Sequence, residues 1–147
     1  MSNIHVDFLG EGPQKVVLEE LVKQYGLENH IKFYGSVPNV EVCRHLAANN
    51  IYILMSQNEG LPISIIEALR AGLPVISTRI AGIPEIVKDG YNGLLLNPST
   101  EELVPVLERI DDYDWKAMGL RSRERFQSEL TFDRMMKDFC DMFDSLN

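Results

Sequence analysis

Basic residues are scarce in this sequence. Fourteen Lys and Arg stand against 22 Asp and Glu, and the formal net charge is −8. A nucleic-acid or anionic-membrane surface needs a concentrated basic face, so neither is expected as the main partner. A local positive pocket for a small anion is still compatible. Cysteine is nearly absent: Cys43 and Cys140 fall in helix-like segments and read as two buried thiols in a reducing compartment, not as a disulfide. The three histidines, His5, His30 and His45, are scattered with no metal-ligand spacing, so no metal is expected. No nucleophile–histidine–acid arrangement can be assembled. No apolar run is long enough to cross a membrane, and "MSNIHVDFLGEG" lacks the basic start and long apolar stretch of a signal peptide. A cytoplasmic location is the expectation. Internal repeats, low-complexity segments and linkers are also missing. With 147 residues, 45% of them hydrophobic, the chain is expected to form one domain, 1–147, with a proper core.

What is present is an alternation. "IHVDFLG" (4–10) reads as a strand and "PQKVVLEELVKQYG" (13–26) as an amphipathic helix with Pro13 near its start and Gly26 at its stop. "IKFYG" (31–35) is a short strand and "PNVEVCRHLAANN" (38–50) a helix. "IYILMS" (51–56) is almost wholly apolar, as in a strand buried on both faces. "PISIIEALRAG" (62–72) is a helix, with Pro62 suited to its first turn and Gly72 to its end. "PVIST" (74–78) and "GLLL" (93–96) are strands separated by a short helix and turn (82–92). Strands alternating with helices predict an α/β fold with a Rossmann-like parallel sheet of about five strands and helices on both faces. After residue 100 the pattern is helical throughout.

Ligands of open parallel sheets bind beyond the carboxyl ends of the strands. Glu59 follows the strand 51–56 and so belongs to that rim. The helix opening at Pro62 aims its amino end at the same rim. The N–H groups of Ile63 and Ser64 there suit a phosphate. Glu67 lies a turn into the helix, placed to accept hydrogen bonds from hydroxyls beside such a phosphate. A phosphate flanked by hydroxyl-rich groups is the layout of a nucleoside-diphosphate sugar. The residues by themselves fit equally a loop acid at Glu59 and a solvated helix acid at Glu67.

The string "EGLPISIIEALRAGLPVISTRIAGIPEIVKDGYNGLLL" resembles the signature of the retaining glycosyltransferases of family 4, which have the two-domain GT-B fold. It carries Glu59, seven residues, Glu67, then Ala68, Gly72, Leu73, Pro74, Val75, Ile76, Pro84, Glu85, Gly90 and Gly93 in the family's order. "FLGEGPQ" and "IKFYGSVPNVEV" match in kind upstream, so the resemblance covers nearly the whole chain. It implies a donor site in which Glu59 meets the hydroxyls of the transferred sugar and acts as the catalytic residue. Gly60, Leu61, Pro62, Ile63 and Ser64 would line the phosphate and sugar, and Glu67 would hold the ribose. The turn at Gly35, Ser36 and Val37 would lie near the base. The chemistry implied needs no metal and no cofactor beyond the donor sugar nucleotide. Two departures stand out. Ala81-Gly82 replaces the family's frequent pair of glycines. The family's opening strand and helix, with the cations that neutralise the diphosphate, have no match, nor does the acceptor-binding N-terminal domain. The chain is therefore expected to behave as a truncated C-terminal half or one part of a split system. Its own strands would be ordered 2-1-3-4-5 if the gap left by the missing strand closes.

The leading expectation is the nucleotide-sugar-binding domain of a retaining glycosyltransferase, acting on a glycan, lipid or other acceptor and inactive as this chain alone. Its partners would be the nucleotide sugar and an acceptor domain in cis or trans. The missing part could bring it to the inner face of a membrane. Alternatives are a non-catalytic binding or assembly module that needs a partner chain, and a GT-B epimerase or phosphorylase fragment. A phosphorelay receiver is disfavoured because no central strand ends in a phosphoacceptor aspartate. "GEG" (10–12) lacks the third glycine of a dinucleotide site. Asp114 in "DDYD" reads as a helix N-cap, not half of a metal pair. Glu85 reads as a structural acid in a helix's first turn. Arg70, Arg79 and Lys88 read as solvated. In the last helix Phe132, Met135, Met136, Phe139, Cys140, Phe143 and Leu146 recur on one face. Most of that stripe is expected to pack on the sheet, with the remainder available for self-association.

Overall fold

Strands and helices alternate from Val6 to Leu96 in the computed structural model, which describes residues 4–145. The chain divides into two compact units, Met1–Arg44 and His45–Asn147. The first contains β1 (Val6–Leu9), α1 (Lys15–Gln24) and β2 (Ile31–Gly35). β1 and β2 are parallel, with Val6 opposite Ile31 and a register shift between Phe8 and Leu9. The rings of Phe8 and Phe33 stack at 5.0 Å. Apolar side chains remain open to solvent through much of this unit, Leu18, Leu21 and Tyr25 of the α1 region among them. Helix α2 (Asn39–Ala48) spans the division.

The second unit holds β3 (Tyr52–Leu54), α3 (Ile63–Ala71), β4 (Val75–Thr78), α4 (Ile83–Ile86) and β5 (Gly93–Leu96). Then follow α5 (Thr100–Glu108), a 3-10 turn at Ile110–Asp112, α6 (Trp115–Glu129) and α7 (Phe132–Asp144). The strands lie in the order β3-β4-β5, all parallel, with Tyr52 opposite Val75 and Val75 opposite Gly93. All four residues of β4 are buried. With Ile65, Leu69, Ile83 and Val87 they make the core. Helix α3 ends where Gly72 takes φ 79°; the N–H groups of Gly72 and Leu73 close back on Leu69 and Ala68. That is the glycine stop expected at this position. Asp114 caps α6, its Oδ1 accepting from the Ala117 N–H at 3.0 Å. Helix α6 packs on α3 where Gly119 meets Gly72, and an added Cβ at Gly119 would strike the Gly72 carbonyl.

Four expectations change. Among the described residues the five strands form two parallel ladders, β1-β2 and β3-β4-β5, which match the expected single-sheet order 2-1-3-4-5 only roughly. The parallel ladder of β1 is with β2 and that of β3 is with β4. No ladder among the described residues joins the two groups. The strand buried on both faces is β4, not the segment 51–56: Ile53 of β3 is 39% exposed. Cys43 and Cys140 are free thiols as expected, but both are exposed, because each sits on an uncovered part of its helix. Helix α7 buries none of its residues. Phe132 is 70% and Phe139 57% exposed, so the apolar stripe does not pack on the sheet. Leu146 lies outside the described residues. No described helix is long and apolar enough to cross a membrane.

Candidate functional site

Glu59 lies half-buried in the loop from β3 to α3. Its Oε1 accepts a 2.7 Å hydrogen bond from Ser56 Oγ. The Ser56 carbonyl accepts a 2.7 Å bond from Thr78 Oγ1, and the Leu54 carbonyl accepts a 2.8 Å bond from Ser77 Oγ. Two hydroxyls at the carboxyl end of the buried β4 thus fasten the end of β3 and the loop behind it. One oxygen of Glu59 is fixed by that chain of contacts.

The next turn is fastened from the same side. The Gly82 N–H donates to the Gly60 carbonyl at 3.1 Å, and Leu61 lies against Gly82. Ala81 just before it has φ +46°, the only positive φ of a described residue other than glycine. A left-handed backbone favours glycine, which gives a physical reason for glycine at this position in the resembled pattern. Gly60 has open space where a Cβ would stand, and its neighbour Leu61 is exposed.

Pro62, buried and extended, immediately precedes α3. Ile63 and Ser64 are the first two helical residues, and their N–H groups have no intrahelical acceptor. Ile63 is exposed and Ser64 half-buried. Glu67, also half-buried, lies three residues beyond Ser64 on the same helical face. Tyr52, at the start of β3, is half-buried. Burial pushes its phenol above the ordinary pKa; the Ser64 hydroxyl opposes this, while the charges of Glu67 and Glu59 add to it.

Gly35, Ser36 and Val37 belong to the first unit, at the carboxyl end of β2. Gly35 is buried with φ +70°, and a Cβ there would collide with the Glu11 carboxylate. Glu11 also binds Lys15 Nζ at 2.8 Å, which raises the lysine's pKa. Two of the three cations noted in the sequence are engaged elsewhere. Arg79 pairs with Asp89, Lys88 Nζ donates to the Pro84 carbonyl, and Arg70 is exposed. Glu85 lies in the first turn of α4. Among the described residues no three His, Cys, Asp or Glu are grouped to hold a metal ion. A hollow between α1 and the β1–β2 sheet is lined almost wholly by apolar groups, Phe8, Leu21 and Phe33 among them.

The sequence pattern missed Ser56 and Thr78. The available signal was that the strand-like segments "IYILMS" and "PVIST" both end in hydroxyl residues. Hydroxyls at neighbouring strand ends can bond the loop backbone beside them.

Comparison with known proteins agrees on one family. The family model described as "Glycosyl transferases group 1" matches residues 1–113. A subunit of the phosphatidylinositol N-acetylglucosaminyltransferase of Arabidopsis thaliana is 33% identical over 145 residues, spanning 87% of this chain and 31% of that protein. Its counterpart from Homo sapiens is 34% identical over 100 residues, spanning 68% of this chain and 20% of that protein. The chain thus spans a third or less of these curated relatives. Among solved structures, Anabaena Alr3699/HepE in complex with UDP superposes with a TM-score of 0.82 at 21% identity. That match covers 99% of this chain and 42% of the other, and it is a likeness of fold. The C-terminal domain of a group 1 family protein, LpcC from Francisella tularensis, gives a TM-score of 0.73 at 26% identity, covering 82% of this chain and 66% of that one.

Proposed function

The chain belongs to the group 1 glycosyl transferases, and from that premise we propose that it binds the nucleotide sugar for a retaining, metal-independent transfer to a glycan, lipid or other acceptor. The observation that carries this reading is the placement of Glu59, held by Ser56 in the loop before α3, and of Glu67 on α3 one turn past its amino end. The diphosphate meets the N–H groups of Ile63 and Ser64, where the positive end of the helix dipole offsets its charge as it departs. Glu67 accepts both ribose hydroxyls. Glu59, steadied by Ser56, takes the hydroxyls of the transferred sugar and is the catalytic residue. Gly60, Leu61 and Pro62 shape the wall between them. No further cofactor enters this chemistry.

A solved relative of the same fold holds UDP, a ligand of the class this site requires. The acceptor half is supplied in cis or in trans, on the cytoplasmic side and at a membrane face where the acceptor is a lipid. Helix α7 is a second contact surface, through which copies self-associate.

The test uses two substitutions with different ligand dependence. Glu67→Gln weakens nucleoside-diphosphate binding by about 1.5–3 kcal/mol, the range for a hydrogen bond to a charged group. Glu59→Gln spares the free nucleotide and weakens only the sugar nucleotide. Ligand-observed NMR titration with UDP and UDP-glucose, with thermal melts as folding controls, separates them. Parent-like binding of both ligands by both variants rejects the donor-site reading.

A further inference from the structure

Helix α4 is a single turn, Ile83–Ile86, and a turn that short leaves its last carbonyls without helical donors. Side chains supply them. The Pro84 carbonyl accepts from Lys88 Nζ at 2.9 Å, the Glu85 carbonyl from Arg125 Nη2 at 2.7 Å, and the Ile86 carbonyl from Asn92 Nδ2 at 3.2 Å. Lys88 and Asn92 follow α4 closely in the chain, whereas Arg125 comes from α6. The same helix grips the end of this segment. Arg121 Nη1 donates to the Tyr91 carbonyl at 3.1 Å, and Ser122 Oγ donates to the Asn92 carbonyl at 3.2 Å. The Arg125 side chain is 14% exposed and pairs with Glu129 at 2.8 Å. Its Nε is buried and has no acceptor among the described residues. A buried donor left unpaired costs free energy, so stability alone is a poor reason for a guanidinium here.

What Arg125 does secure is the Glu85 carbonyl, and from there the contacts lead back to the loop before α3. The Glu85 N–H donates to the Gly82 carbonyl at 3.1 Å, and the Gly82 N–H donates to the Gly60 carbonyl at 3.1 Å, next to Glu59. A Cβ on Gly82 would press on Leu61 and on the Gly60 carbonyl, so the two backbones approach closely. We propose that Arg125 is a positioning residue for the Gly60 loop: from α6 it fixes α4, and α4 through Gly82 fixes the backbone beside Glu59. The inference rests on the donor-site reading, in which Glu59 meets the transferred sugar. It assigns α6 a hold on the sugar end of that site and not on the nucleotide end.

The experiment measures native-state amide exchange and ligand binding on the full chain for the parent, Arg125→Met and Arg125→Lys. In Arg125→Met the Gly82 amide should exchange about tenfold faster, the effect of losing one hydrogen bond from a charged donor. The Leu73 amide, which closes α3 on Ala68, should keep its parent rate. A general loss of stability would speed both. Arg125→Lys keeps a cationic donor on a flexible stem and should lie between parent and Arg125→Met. Binding of UDP-glucose should weaken about three- to tenfold in Arg125→Met, within the span of coupling through packed networks, while binding of UDP stays as in the parent. An unmoved Gly82 rate, equal acceleration of Gly82 and Leu73, or parent-like binding of UDP-glucose overturns the proposal. If Arg125→Met does not fold, Arg125→Lys decides by the same readings. If Glu67→Gln weakens UDP binding while Gly82 exchange is unmoved in Arg125→Met, only this inference fails. If the parent binds neither UDP nor UDP-glucose, the donor-site reading fails and this one with it.

Discussion

Ala81 holds a conformation that its side chain resists, and the resulting strain can be measured. Its φ of +46° lies in the left-handed region, which costs an L-residue about 1–2 kcal/mol relative to the right-handed one. The residue is exposed, so removing its methyl forfeits little packing. Glycine adds freedom to the unfolded chain, an offset of about 0.4–1 kcal/mol. Ala81→Gly should therefore stabilise the second unit by about 0.8 kcal/mol, the difference between those ranges. Ala81→Val should act in reverse, because a β-branched residue at positive φ is strained by about 1–3 kcal/mol. Urea unfolding followed by fluorescence of Trp115, the one tryptophan, reports on the unit concerned. The midpoints should rank Gly above Ala above Val with the slope unchanged. A destabilised Ala81→Gly, or a neutral Ala81→Val, refutes the reasoning. The same turn holds the Gly60 loop through the Gly82 N–H, so the stability change is read beside the ligand titrations.

Two glycines should tolerate no side chain. A Cβ at Gly93 would run into the Val75 carbonyl across the β4–β5 ladder, and one at Gly119 into the Gly72 carbonyl between α6 and α3. Gly93→Ala and Gly119→Ala should each lose about 1–3 kcal/mol or more in the same unfolding assay, whereas Gly60→Ala should unfold like the parent. Alkaline stability should depend on Tyr52. Its folded pKa lies above the ordinary 10.0, so the unfolded chain gives up the proton first and stability falls as pH rises through 10 toward the folded value. That part of the slope should vanish in Tyr52→Phe, and an identical pH profile for the two proteins would contradict it.

The parts of this fold legible in the sequence are those set by local chemistry. Gly72 ends α3 because a left-handed residue satisfies the last carbonyls, and Asp114 starts α6 because a carboxylate answers its free N–H groups. The α/β alternation and the placement of Glu59 and Glu67 around the start of α3 were legible for the same reason. Burial was less so, since it depends on neighbours far along the chain. "IYILMS" and "PVIST" are both strand-like, yet only the second is flanked by strands on both sides. Apolar content alone does not tell a central strand from an edge strand. Likewise the stripe on α7 has the period of a packing face, but periodicity says which residues share a face and not what covers it.

Helix α7 supports one more prediction, because its exposed stripe and its charges pull in opposite directions. Phe132, Met135, Met136, Phe139, Met142 and Phe143 are all exposed, a large apolar face for one helix. Asp133, Asp138, Asp141 and Asp144 outnumber Arg134 and Lys137 on the helix, and both cations are already engaged, by Asp138 and Asp141 at 3.0 Å. Two copies brought together through α7 gain apolar burial and lose to like-charge repulsion, within a chain of net charge −8. Salt screens the repulsion and leaves the apolar term in place. Self-association should thus increase between low salt and about 0.5 M NaCl, opposite to an interface held by ion pairs. Phe139→Asp should abolish it while leaving the thermal melt of the monomer close to the parent's, since the side chain is 57% exposed before any partner arrives. Sedimentation velocity across a concentration series at both salts decides the matter. A parent that stays monomeric at high concentration in either salt, or a Phe139→Asp variant that associates as the parent does, removes α7 as the surface of contact.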